Sequence, residues 1–140
     1  MLSAPDGERT GGERTKSEPW AEQRAYSGNR IRETVVESIT STELSSLLQK
    51  DPRVLLLDVR EDDERAAARI EPSLHIPMNS VPDRLNELPR DRRIIVLCHH
   101  GGRSYAVASY LETEGYTDVA NLTGGIDEWA RVVDPSVPRY

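Results

Sequence analysis

A chain of 140 residues fits a single compact domain with a tail to spare, and 36% hydrophobic residues with no Phe require a core of Leu, Ile, Val and Ala. The formal net charge of -6 excludes a broad surface for a phosphate backbone, no stretch approaches the roughly 18 apolar residues of a membrane helix, and the N-terminal segment carries as many acids as bases, unlike a transit peptide. The expected setting is the cytoplasm, with neither nucleic acid nor membrane as partner, and the one cysteine, Cys98, closes no internal disulfide.

Residues 1–32 are rich in Gly, Glu, Arg, Ser and Thr, contain GERT twice, and hold Trp20 and Tyr26 as their only large side chains. A disordered tail is expected there, followed by one domain over 33–140. Val35, Val36 and Ile39 predict a short strand. Thr40-Ser41-Thr42-Glu43 has the S/T-x-x-E form of a capping box, and Leu44, Leu47 and Leu48 recur at helical spacing until Asp51-Pro52 stops the run. Residues 54–57 form a continuous apolar run, as in a strand buried on both faces of a parallel sheet, and end in Asp58-Val59-Arg60.

An acidic helix is predicted over 61–69, a short strand at Leu74-His75-Ile76, and a further helix across Val81, Leu85 and Leu88, stopped by Pro89. The second fully apolar strand, Ile94-Ile95-Val96-Leu97, leads directly into Cys98. A helix over 103–114 with Val107, Ala108 and Leu111 inward is capped by Gly115; a strand over 119–122 and a last helix with Ile126, Trp129 and Val133 on one face complete the chain. Strands alternating with helices imply an α/β fold with right-handed crossovers and a parallel sheet covered by helices on both faces. Ligands of such sheets gather beyond the carboxyl ends of the strands, where 58–60 and 98–103 both fall.

Cys98-His99-His100-Gly101-Gly102-Arg103-Ser104 must turn tightly from a buried strand into a helix, which two adjacent glycines allow. The backbone N–H groups of such a turn converge as an anion-binding nest, and the N-terminus of the following helix adds partial positive charge. Cys98 is therefore the candidate nucleophile, and the amides of 99–104 are the candidate seat for a second, anionic sulfur. The plainer alternative makes Cys98 a small buried hydrophobe, the commoner fate of a lone cysteine, although that role does not require Gly-Gly and Arg downstream. Arg103 either pairs with an anionic donor such as thiosulfate or closes the loop by donating to backbone carbonyls or to Asp58. Asp58 and Arg60 either orient the loop from the neighbouring strand end or are ordinary strand-terminal polar residues. The side chains of His99 and His100 are expected to point apart, so that at most one faces the donor. A zinc site is disfavoured, because one Cys and three His, with His75 on another element, do not supply a full set of spaced ligands. Neither a metal nor an organic cofactor is expected.

Four motifs in order, LLLDVRE, RIEPSLHIP, CHHGGRS and NLTGGIDEW, resemble the rhodanese family, and the resemblance covers roughly residues 35 to 133. It implies a five-stranded parallel sheet flanked by helices and a ping-pong transfer of sulfane sulfur. In that reaction Cys98 would take sulfur from thiosulfate or another persulfide donor and pass it to cyanide or a thiol. The final residues, Val133-Asp134-Pro135-Ser136-Val137-Pro138-Arg139-Tyr140, look like the tail of rhodanese domains fused to E1-like enzymes that activate ubiquitin-like sulfur carriers. This implies sulfur delivery with a carrier protein or a cysteine desulfurase as partner. Glu64-Arg65 and Ala68-Arg69-Ile70 depart from the family pattern of an aromatic after the Glu and then Gly-His-Ile, at positions expected to lie away from the loop.

Two other readings stand beside this one. The domain would be a sulfur-relay or partner-binding module without turnover, or a phosphatase or arsenate reductase using the same loop. Tyrosine phosphatases place one residue more between cysteine and arginine than the four here, and the shorter ring suits a single sulfur better than a phosphate.

Overall fold

The computed structural model describes residues 35–140, so the tail expected over 1–32 lies outside the described residues. The elements run β1 (Glu37–Ile39), α1 (Ser41–Lys50), β2 (Leu55–Asp58), α2 (Asp62–Ala67), β3 (Leu74–His75), two 3-10 turns (Met78–Ser80 and Pro82–Glu87), β4 (Ile94–Leu97), α3 (Gly102–Thr113), β5 (Val119–Leu122) and α4 (Gly125–Val132).

Local chemistry accounts for several of these boundaries. Thr40 Oγ1 accepts from the Glu43 amide at 3.1 Å while Glu43 Oε1 accepts from the Thr40 amide at 2.9 Å, so the expected capping box opens α1. Gly115 takes φ +95° just past α3, as its capping role requires. Where a helix was predicted across Val81, Leu85 and Leu88, the chain makes 3-10 turns instead. Val81 donates to the Met78 carbonyl, Arg84 to Val81 and Leu88 to Leu85. Pro82 has no N–H to give and Pro77 and Pro89 bracket the segment, so a regular α-helical ladder cannot be completed. The acidic helix is shorter than its predicted 61–69, and β1 starts at Glu37, where pairing with β5 begins opposite Ala120.

The five strands form one parallel sheet in the order β1-β5-β4-β2-β3. On one face Leu56, Ile95, Leu97, Ala120 and Leu122 pack with Leu44 of α1 and with Ile126, Trp129 and Ala130 of α4. The alternating positions Leu57, Ile94, Val96 and Val119 point to the other face, where Val107, Ala108 and Leu111 of α3 are buried against β4 and β5. Each of the buried Leu, Ile and Val side chains contributes about 1.5–3 kcal/mol. β2 and β4 are in register with Asp58 beside Leu97, which brings the ends of both strands to one edge, immediately before Cys98. Among the described residues, no helix is long and apolar enough to cross a membrane.

Candidate active site

Four consecutive buried residues of β4 deliver Cys98 to the carboxyl edge of the sheet, where its side chain is 1% exposed. The chain then turns through Gly101 at φ +113°, a conformation open to glycine and strained for other residues. This turn aims two amides at the sulfur. Gly101 N donates to Sγ at 3.1 Å and Ser104 N at 3.3 Å. The amides of His99, His100, Gly102 and Arg103 donate to no protein acceptor among the described residues, so the loop keeps unused donors around the thiol.

A buried asparagine on β5, absent from the sequence-derived site, ties the loop together. Asn121 Nδ2 donates to the Gly101 carbonyl at 3.2 Å, and Asn121 Oδ1 accepts from the Ser104 hydroxyl at 2.5 Å. Ser104 Oγ also lies 3.3 Å from Cys98 Sγ. A hydroxyl has one proton, and Asn121 Oδ1 takes it; the thiol is therefore the donor in the Cys98–Ser104 contact. Once the sulfur is anionic, the Ser104 hydroxyl has to rotate to donate to it. The one signal in the sequence was an asparagine inside an otherwise apolar strand.

The second glycine pair, Gly124-Gly125, seats α4 against the loop from behind. Ile126 N donates to the Cys98 carbonyl at 2.9 Å and Asp127 N to the His99 carbonyl at 3.1 Å. A Cβ on Gly125, which has φ +60°, would stand 2.5 Å from the Cys98 carbonyl oxygen, so only glycine permits this approach.

Asp58 and Arg60 are fully buried and paired with each other. Asp58 accepts from Arg60 Nε at 2.9 Å and Nη2 at 2.7 Å, and also from Arg65 Nη1 at 3.2 Å. Arg60 spends its remaining donors on the carbonyls of Glu64 and Ala68 and on the Tyr140 hydroxyl, so all five guanidinium N–H groups are used. Burial opposes the Arg60 charge, but Asp58 and then Tyr140 outweigh it and raise its pKa. Neither side chain hydrogen-bonds to the loop; Arg60 instead ties α2 to the chain end beside it.

Arg103 does not pair with Asp58, whose carboxylate Arg60 and Arg65 occupy. Its Nη1 and Nη2 donate to the two carboxyl oxygens of Glu64, at 2.7 and 2.8 Å. These bonds hold the Glu64 carboxyl well down, to about 2, and push Arg103 up. The expectation that the Glu64 neighbourhood lies away from the loop is thus corrected: α2 carries Glu64 to its mouth. His99 and His100 do not point apart either. In a tight turn neighbours need not alternate as they do in a strand, and their rings lie 4.0 Å apart at 32°. The ring of Tyr140 stacks on His99 at 4.1 Å and 11°. Burial, then the adjacent His100, lowers the His99 pKa. His75 sits away from the loop, with Nε2 2.7 Å from the Arg60 carbonyl. Among the described residues, no cluster of three or more His, Cys, Asp or Glu is arranged to hold a metal.

This fold has clear counterparts. A rhodanese-like domain protein from Staphylococcus aureus superposes with a TM-score of 0.66 at 34% identity, over 75% of this chain and 99% of that one. The family model of the rhodanese-like domain matches residues 40–132, and the chain belongs to that family. A sulfurtransferase from Allochromatium vinosum is 42% identical over 97 residues, which are 69% of this chain and 91% of its relative. An adenylyltransferase and sulfurtransferase from Arabidopsis thaliana is 30% identical over 118 residues, 73% of this chain but 25% of that longer protein.

Proposed function

We propose that this domain is a sulfurtransferase that takes sulfane sulfur from thiosulfate or a persulfide donor, carries it as a Cys98 persulfide, and yields it to a thiol or cyanide. The observation that carries this reading is the seat of Sγ: a buried thiol that accepts from two loop amides, with further amides of the same loop unused. In the first half-reaction the Cys98 thiolate attacks the outer sulfur of thiosulfate. The new S–S bond forms as the old one breaks, and sulfite leaves with the electron pair. In the second, an acceptor thiolate or cyanide attacks the terminal sulfur and Cys98 leaves as thiolate.

The amides of His99, His100, Gly101, Gly102, Arg103 and Ser104 stabilise the added charge, while Asp58 and Arg60 hold the frame from which the loop is presented. Both steps conserve atoms and electrons without a metal or organic cofactor. A cytoplasmic setting suits a single catalytic thiol, because thiols stay reduced there. The likeness to a protein that joins adenylyltransferase and sulfurtransferase activities supports a sulfur carrier or a cysteine desulfurase as partner.

Thiosulfate-to-cyanide turnover by the full-length protein tests the reading. Wild type is expected to turn over and Cys98→Ser to lose all activity. Hydrolysis of an aryl phosphate without any sulfur transfer would replace the proposal with phosphatase chemistry. Partner capture by Cys98→Ser, with no turnover by wild type on any small donor, would replace it with a relay module.

A further inference from the structure

The sequence offers Arg103 as the natural cation for an anionic sulfur donor, yet the structure commits that guanidinium elsewhere. Both of its terminal nitrogens donate to Glu64 in a two-point pair at 2.7 and 2.8 Å, with the Glu64 side chain 18% and the Arg103 side chain 36% exposed. Two further donors fix Glu64. The Glu61 amide donates to its Oε1 at 3.0 Å. The Tyr140 hydroxyl accepts from Arg60 at 2.9 Å, so its own proton is free for Glu64 Oε2 at 3.1 Å. Stacking on His99 holds the Tyr140 ring in place. Arg103 can turn to a ligand only by leaving an acid that is pinned on three sides.

The charge at the mouth follows from this arrangement. The Arg103–Glu64 pair sums to zero, so the guanidinium brings no net positive charge to the loop. A dianion approaching Cys98 therefore finds the Arg103 charge already cancelled by Glu64. A persulfide on a small thiol carries at most one charge on its sulfane sulfur, and the loop amides can hold that charge without Arg103.

We propose that Glu64, pinned by Tyr140, is a specificity-determining residue that cancels Arg103 and biases the site toward thiol-borne persulfides over dianionic donors such as thiosulfate. The proposal rests on the sulfurtransferase reading and names the donor class for it. The Cys98 thiolate attacks the outer sulfur of R–S–SH. The Cys98–S bond forms, the S–S bond of the donor breaks, and R–S⁻ departs with the electron pair and is protonated by solvent. No net oxidation occurs.

Sulfur uptake by the full-length protein, followed by intact mass against time, tests this with the persulfide of 2-mercaptoethanol, whose carrier is uncharged, and thiosulfate as the two probes. Wild type is expected to react faster with the persulfide. Glu64→Gln keeps the shape of the residue and removes its charge, and should shift the persulfide-to-thiosulfate rate ratio toward thiosulfate by about tenfold. Tyr140→Phe loosens Glu64 and should move the ratio the same way by less. The proposal is overturned if wild type prefers thiosulfate, or if folded Glu64→Gln shifts the ratio by less than about threefold, a change too small for a lost charge beside the site. Should Glu64→Gln fail to fold, the direction of the Tyr140→Phe shift decides, and no shift counts against the proposal. Uptake from neither donor is a different result: it removes the sulfurtransferase reading itself.

Discussion

Two acid–guanidinium pairs lie within one turn of α2, and they do different work. Asp58 and Arg60 are sealed from solvent, and every Arg60 donor has a protein acceptor. Glu64 and Arg103 make an equally short two-point pair, but at the mouth of the Cys98 loop and partly in water. The Tyr140 hydroxyl joins the two. The comparison teaches that a pair's role follows from what surrounds it. A sealed pair holds a frame, because breaking it strands a charge; an open pair sets local charge, because either partner can be re-solvated.

The largest expected effect comes from breaking the sealed pair. Asp58→Ala leaves the Arg60 guanidinium buried without its counter-charge and should cost about 3–5 kcal/mol in a denaturant titration. Next is the buried amide between loop and sheet: Asn121→Ala removes two hydrogen bonds but leaves the Gly101 carbonyl with the Tyr105 amide and the Ser104 hydroxyl with Cys98 Sγ, and should cost about 1 kcal/mol. It should also slow sulfur uptake at Cys98, because the amides of Gly101 and Ser104 are no longer fixed; unchanged uptake would separate Asn121 from the chemistry. Thr40→Ala, remote from the loop, removes a helix cap and should cost about 1 kcal/mol while leaving uptake as in wild type.

The smallest stability effect belongs to the open pair. Glu64→Gln should change stability at pH 7 by less than about 1 kcal/mol, since solvent screens and replaces much of the interaction. Acid sharpens the contrast. The Glu64 carboxyl is held below its ordinary value of 4.5, to about 2, so its contribution is complete above 4.5 and disappears as pH falls toward 2. Stability curves of wild type and Glu64→Gln should converge over that window, and parallel curves would show that the pair adds nothing to the fold.

The sequence makes some of this architecture plain and hides the rest for physical reasons. β2 and β4 are unbroken apolar runs, so their burial on both faces can be read directly, and the Thr40–Glu43 cap is local enough to be seen as four consecutive residues. The candidate loop is likewise contiguous, from Cys98 to Ser104. Glu64, Asn121 and Tyr140 come to that loop from three other elements, and only the packed sheet brings them together. The residue opposite Arg103 could not be chosen from spacing, because Asp58 and Glu64 both lie near the same strand end and the competing claims of Arg60 and Arg65 on Asp58 decide it. After β3 the apolar spacing of Val81, Leu85 and Leu88 predicts a helix, whereas the backbone ladder depends on N–H groups that proline lacks, and the chain forms 3-10 turns.

Intact mass of the full-length protein after exposure to a sulfane sulfur donor tests the central assignment most directly. One added sulfur atom, located on Cys98 by peptide mapping and absent from Cys98→Ser, is the result expected of a persulfide carrier. An unchanged mass, or a sulfur that Cys98→Ser still acquires, would contradict it.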